Sequence, residues 1–131
     1  MSKPAVVAVI HREGRFLMIK RADGLMAPGY WVAPSGRVEE GESFQEALVR
    51  EMKEELGLAV RPGRELWSCP TEDGSMTLHW WQVEAEAGEP VPDPAEVAEL
   101  RWCTVEEIKQ LSPTFADDVR FFADIWPCVR G

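Results

Sequence analysis

The stretch from Ser43 to Gly57, SFQEALVREMKEELG, is the part of this chain with the fewest ways to fold. Ser43 and Glu46 form the Ser-x-x-Glu pattern of a capping box, Phe44, Leu48, Met52 and Leu56 recur every four residues, and Gly57 suits a left-handed stop. The pattern predicts an amphipathic helix over 44–56. Three glutamates, Glu51, Glu54 and Glu55, then lie in its last turns, where the helix dipole disfavours negative charge and carboxylates at i and i+4 repel. On a helical wheel with Glu51 at zero, the apolar residues fall between about 20° and 140°, Glu55 at about 40° and Glu54 at about 300°. Glu51 and Glu55 therefore stand at the margin of the apolar face, and Arg50 is within i,i+4 reach of both Glu46 and Glu54. A solvated acidic helix end accounts for this. From these residues alone that is the favoured reading; a hard divalent cation, which prefers carboxylate oxygens, is the alternative.

The flanks read as a mixed set of elements. AVVAVI, REG and RFLMIK suggest two strands and a tight turn, RADGLMAPGY a loop, and WVAPSGRV short extended pieces broken at Pro34. A strand over about 59–67, a turn at TEDGS and a strand through MTLHWWQVEA follow the helix. After the Pro-rich loop AGEPVPDP comes the strand VAELRWC, a short helix capped by Thr104 and Glu107, and a final amphipathic helix in TFADDVRFFADIW. Strands with interspersed helices and hairpin returns imply an α/β fold, a mixed sheet with helices packed on it.

A length of 131 residues suits one domain, 1–131. No apolar run reaches membrane-spanning length, and MSKPAVVAVI is too short and weakly charged for a secretory signal, so a cytoplasmic location is expected. Cys69, Cys103 and Cys128 are odd in number and widely spaced, which reads as buried reduced thiols. The net charge of −9 argues against nucleic acid as a partner. The acid excess lies after residue 41. Before it, Arg12, Arg15, Lys20, Arg21 and Arg37 could meet a small anion or simply be solvated.

Read upstream, the helix belongs to the string GRVEEGESFQEALVREMKEELGL. This resembles the Nudix box: Gly, five residues, Glu, seven residues, then Arg-Glu-apolar-any-Glu-Glu-any-Gly-apolar, matched at every fixed position. A chance match in a chain this long is on the order of one in ten million at average residue usage. YWVAPSG before the box and ELRWCTVEEI after it resemble the usual flanks. The resemblance implies the Nudix fold, a mixed sheet sandwiched between helices, and hydrolysis of a diphosphate in a nucleoside diphosphate derivative with Mg²⁺ or Mn²⁺. It also implies metal ligation by Glu51, Glu54 and Glu55 with the Gly36 carbonyl, orientation of these glutamates by Arg50, and a second-metal or loop-anchoring role for Glu42. Glu51 is a candidate base, since members of the family differ in where the base resides. The family often has Gly-Gly where this chain has Ser35-Gly36; a left-handed Ser35 would carry strain of about 1–2 kcal/mol.

Specificity is less marked. Six tryptophans are many for this length. Trp31 and Trp81 are candidates to flank a substrate, with Arg15, Lys20 and Arg37 meeting its phosphates; core packing is the competing reading for each tryptophan. Adjacent Trp80 and Trp81 point to opposite faces of a strand, one into the core and the other toward a pocket or a dimer interface. His79 reads as a strand-surface residue. No SQPWPFP-like array of the NADH pyrophosphatases follows the box. The expected substrate is a nucleoside triphosphate or related nucleotide. ADP-ribose or a nucleotide sugar, and a non-catalytic nucleotide-sensing module, are the alternatives. A homodimer is left open.

Overall fold

In a computed structural model describing residues 2–130, the six consecutive residues Ala5–Ile10 are all buried. A strand that hides side chains of both parities has neither face in water, which is why this run is uniformly apolar rather than alternating. The strand is β1 (Lys3–Arg12). The chain divides into two units: one takes the chain up to Ile10 with Pro34–Val91, the other His11–Ala33 with Pro92 onward. No helix among the described residues is long and apolar enough to cross a membrane.

The first unit is built on a mixed sheet. β1 runs antiparallel to β4 (Ser35–Arg37) on one side and parallel to β6 (Met76–Ala85) on the other, and β6 runs antiparallel to β5 (Val60–Pro70). β5 shifts register between Pro62 and Trp67, as expected where Pro62 cannot donate to the ladder and Gly63 has no side chain to pack. α1 (Phe44–Leu56) has both capping-box bonds at Ser43 and Glu46, and Gly57 closes it at φ 61°. Ala47, Leu48, Met52 and Leu56 are buried along it.

The second unit has β2 (Arg15–Arg21), β3 (Trp31–Val32) and β7 (Val97–Cys103), with β2 antiparallel to both neighbours. Its β1–β2 turn places Glu13 and Gly14 at φ 51° and 78°, two left-handed residues whose twist matches the strands. α2 (Val105–Ile108) carries the second capping box. The last helical run is α3 (Ala116–Arg120), a π-helical segment (Phe121–Ile125) and α4 (Trp126–Val129). Pro127 explains the widening: its ring would collide with the carbonyl four residues back in a regular helix, and Trp126 N–H instead reaches Phe121 O. Phe16 packs at 4.7 Å from Phe122 and edge-on at 5.1 Å from Trp126.

Four expectations need correction. Trp80 and Trp81 are both buried, so neither offers an open surface. All three cysteines are free, but Cys128 is exposed. Ser35 lies outside the left-handed region, so it carries no such strain. The final helix continues past Trp126 to Val129 and is π-helical in its middle.

Candidate metal and active site

The site is assembled in the first unit from β4, the turn after it and α1. β4 pairs Gly36 with Val6 of β1. Gly36 does not have a positive φ; its value is space, because a Cβ there would fall inside the Glu51 carboxylate. Beyond β4 the chain turns at Gly41, φ 81°, where Glu39 N–H donates to Glu42 Oε1 at 3.0 Å. Glu42 is thereby held just before the Ser43 cap.

Arg50 ties these pieces together. Its Nε and Nη2 grip Glu42 at 2.7 and 2.9 Å, Nη1 reaches Glu51 at 2.7 Å and Glu54 at 3.3 Å, and Nη2 also reaches the Arg37 carbonyl at 3.0 Å. All five N–H groups of the guanidinium are used, a fork that a lysine ammonium cannot reproduce. Glu39 lies 3.7 Å away as a further acid. Arg50, followed by the Glu39 N–H, holds the Glu42 carboxyl down to about 2, against a burial effect of opposite sign. Glu42, then Glu51, in turn raises Arg50 above its ordinary value.

Glu42, Glu51 and Glu54 thus share one positive charge and remain collectively negative. Glu55 is buried, 6% exposed, on the same helix, while the Glu54 side chain is 61% exposed. These are hard oxygen donors of the kind Mg²⁺ and Mn²⁺ take, and the donor set fits such an ion in chemistry. Among the described residues, however, no three His, Cys, Asp or Glu side chains converge into a ready cage. The guanidinium holds the oxygens that a cation would share.

The other predicted residues fall elsewhere. Arg37 contributes its carbonyl to Arg50, and its side chain is exposed. Trp81 packs edge-on to Phe44 at 6.5 Å, and its buried Nε1 has no hydrogen-bond partner among the described residues. His79, expected on the strand surface, is half-buried with its ring 4.5 Å from Phe44 and Nδ1 3.1 Å from Glu65. In the second unit Arg15 pairs with Glu107 at 2.9 Å, Lys20 stands opposite Trp31 in the ladder, and Trp31 is buried beneath Arg101, 4.7 Å from its ring. Asp118 went unnoticed in the sequence, where two acids at a helix start look like ordinary dipole partners. It is nearly fully buried and accepts the Ala33 N–H at 3.0 Å.

Residues 1–125 match the family model of the NUDIX domain. The chain belongs to the Nudix family. It is accordingly a hydrolase of the Nudix type, and Nudix hydrolases generally use divalent metal ions. It is 35% identical over 114 residues to the CTP pyrophosphohydrolase of Escherichia coli K12, covering 86% of this chain and 83% of that one. It is 31% identical over 131 residues to the NAD-capped RNA hydrolase NudC of Deinococcus radiodurans. That match takes in 97% of this chain but only 46% of the longer relative. The crystal structure of the MutT protein from Methanosarcina mazei Go1 shares the Nudix fold, with a TM-score of 0.85 at 24% identity, over 99% of this chain and 96% of that one.

Proposed function

We propose that this Nudix hydrolase is a divalent-metal-dependent pyrophosphohydrolase of free nucleotides, cleaving a nucleoside triphosphate or related nucleotide by attack of water on phosphorus. The observation that carries the proposal is the Arg50 cluster, in which the acids of the box are gathered yet left with net negative charge. Likeness to a CTP pyrophosphohydrolase along most of both chains supports the substrate class. The chain's charge of −9 favours a free nucleotide over a capped RNA. We assign residues 1–131 to one domain acting in the cytoplasm, where free thiols persist.

Glu51, Glu54 and Glu55 with the Gly36 carbonyl would hold the metal, which supplies charge neutralisation on the phosphates and a more acidic attacking water. Glu51 has one oxygen tied to Arg50 and its carboxylate against Gly36, and it is the acid we assign to take a proton. Glu42 has both oxygens committed to Arg50 and the Glu39 N–H, which favours an anchoring role over metal ligation. Arg50 acts as the positioning residue for Glu51 and Glu54.

The test is a panel of nucleoside triphosphates, ADP-ribose, NADH and dinucleoside polyphosphates with Mg²⁺ or Mn²⁺, in ¹⁸O-labelled water. Product masses then show both the bond broken and the phosphorus attacked. Turnover confined to ADP-ribose or NADH would move the substrate class. Absence of turnover on the entire panel by folded protein would favour a nucleotide sensor instead.

A further inference from the structure

Two of the longer strands have a partner on one side only: among the described residues β5 pairs β6 alone, and β7 pairs β2 alone. β5 is a broken edge. Pro62, Gly63 and Pro70 lie in it, and its register shifts twice. Prolines and bulges are how sheet edges are kept from pairing with other chains. β7, with the sequence VAELRWC, has no Pro, Gly or Lys. Its one irregularity is at its start, where Ala98 falls between the Lys20–Glu99 and Arg21–Val97 pairs, and the ladder is regular from Glu99 to Cys103. We infer that β7 is a self-association edge: it pairs antiparallel with β7 of a second copy of this chain across a two-fold axis at Leu100, with Glu99 of each copy against Arg101 of the other.

The side chains of β7 are self-complementary about Leu100. A two-fold interface places residue i of one copy against j of the other, and j against i. Here Glu99 and Arg101 oppose each other twice, Leu100 opposes itself, and the small Ala98 opposes the large Trp102. Cross-strand pairs of opposite charge strengthen a ladder, and like charges weaken it. The charged groups have capacity left for a partner: Glu99 and Arg101 lie 3.6 Å apart within the strand, and their side chains are 52% and 54% exposed. Two arginines are also held in place beforehand. The Arg101 guanidinium lies 4.7 Å over the Trp31 ring and that of Arg12 4.9 Å over the Trp102 ring, so less freedom is lost on association. Leu100 and Trp102 are half-buried and supply apolar surface beside the charges. Charge also selects a second copy as the occupant. With one acid and one base β7 is neutral, so pairing it with itself brings no net charge together on this edge, in a chain that carries −9.

A contact one strand wide is small. It belongs with interfaces that bury less than about 1,200 Å², which are weak and transient. The dimer is therefore expected at high protein concentration and dissociates on dilution. Reversing one charge beside the axis puts two like pairs in place of two opposite ones, which should raise the dissociation constant about tenfold.

Sedimentation velocity over a wide concentration range reads the association. Cross-linking reads the register, in a Cys128→Ser background because Cys128 is the exposed thiol. A thiol cross-linker spanning about 5 Å, the separation of directly opposed Cβ atoms, should join two Leu100→Cys chains. Ala98→Cys should not join to itself, since the axis sets the two copies of residue 98 four residues apart along the strand, about 13 Å. It should join instead to Trp102→Cys. Arg101→Glu and Glu99→Arg should each weaken the dimer about tenfold, and the double variant should return to within about threefold of wild type. Monomer at every concentration, cross-linking as strong for Ala98→Cys alone as for Leu100→Cys, or a double variant no tighter than the single ones overturns the proposal. Should the charge variants not fold, the backbone amide shifts of the wild-type protein decide: signals of 98–102 that move with concentration support the β7 pairing, and signals that stay fixed overturn it.

Discussion

Glu42 and Asp118 are both carboxylates that accept a backbone N–H at 3.0 Å, one in each unit, and their surroundings drive them in opposite directions. Glu42 has a guanidinium laid across both oxygens and is held at about 2. Asp118 has burial and a like-charged neighbour, and is pushed to about 7. One backbone hydrogen bond is common to both, so it cannot be what separates them. The difference is whether a cation replaces the water that folding removed. Where Arg50 does so, the Glu42 carboxyl is held in its ionised form. Where burial outweighs the donors, as at Asp118, the proton is held more tightly.

The sharpest way to break the comparison is to remove charge from each side in turn. Glu51→Gln should lower kcat/KM by roughly a thousandfold, about 4 kcal/mol of transition-state stabilisation, with the fold retained by circular dichroism. Asp118→Asn at pH 6 should leave turnover within about threefold. Near-normal turnover of Glu51→Gln would remove the glutamate from the chemistry, and with it the functional half of the contrast.

The pH dependence of stability separates the two carboxylates by sign. Asp118 binds its proton more tightly folded than unfolded, so its contribution is complete below about pH 4 and is lost as pH rises through about 7. Glu42 is the reverse: its contribution is present above its unfolded value of 4.5 and is lost as pH falls toward about 2. Urea titrations of wild type and Asp118→Asn between pH 4 and 8 should diverge by an amount on the order of 3 kcal/mol across the Asp118 window. Parallel curves would mean the buried carboxyl titrates normally.

Arg50→Lys asks whether charge or shape holds the acids together. Lysine keeps the positive charge but loses the fork that grips Glu42 while reaching Glu51, Glu54 and the Arg37 carbonyl. A loss of about 2 kcal/mol in unfolding free energy and at least a tenfold fall in turnover are expected. Unchanged values for both would show that charge alone suffices.

What could be read from the sequence was local, and what could not depended on neighbours far along the chain. α1 begins after Ser43 and ends at Gly57, and β6 and β7 span 76–85 and 97–103, all as patterned, because caps and periodicity act within a few residues. Helical spacing placed Arg50 beside Glu54 correctly. It did not reveal that Glu46 turns to the capping box, where its Oε1 accepts the Ser43 N–H. The role of Gly36 was likewise hidden: no spacing rule says that Glu51 will lie where its Cβ would be. Trp81, Cys128 and Asp118 were misjudged or missed for one shared reason. Burial is decided by what folds over a residue, and a single sequence does not state it.

Glu54→Gln is the finest probe of the contrast, since it removes an acid that the apo fold scarcely needs. Its side chain is largely exposed, lies in the C-terminal half of α1, and makes the longest of the Arg50 hydrogen bonds at 3.3 Å. The exposed ion pair is worth little, and the lost carboxylate also relieves repulsion with Glu51 and with the helix carbonyl end. Apo stability should therefore change by no more than about 0.5 kcal/mol, in either direction. With Mg²⁺ or Mn²⁺ the variants part. A ligand that binds only the folded state at about a hundred times its dissociation constant adds about 2.7 kcal/mol, and this gain should shrink in Glu54→Gln. Sodium chloride at matched ionic strength is the control, because screening alone also relaxes exposed like charges. If sodium chloride reproduces the whole shift, or Glu54→Gln retains it, Glu54 is a surface acid and the cation is held without it.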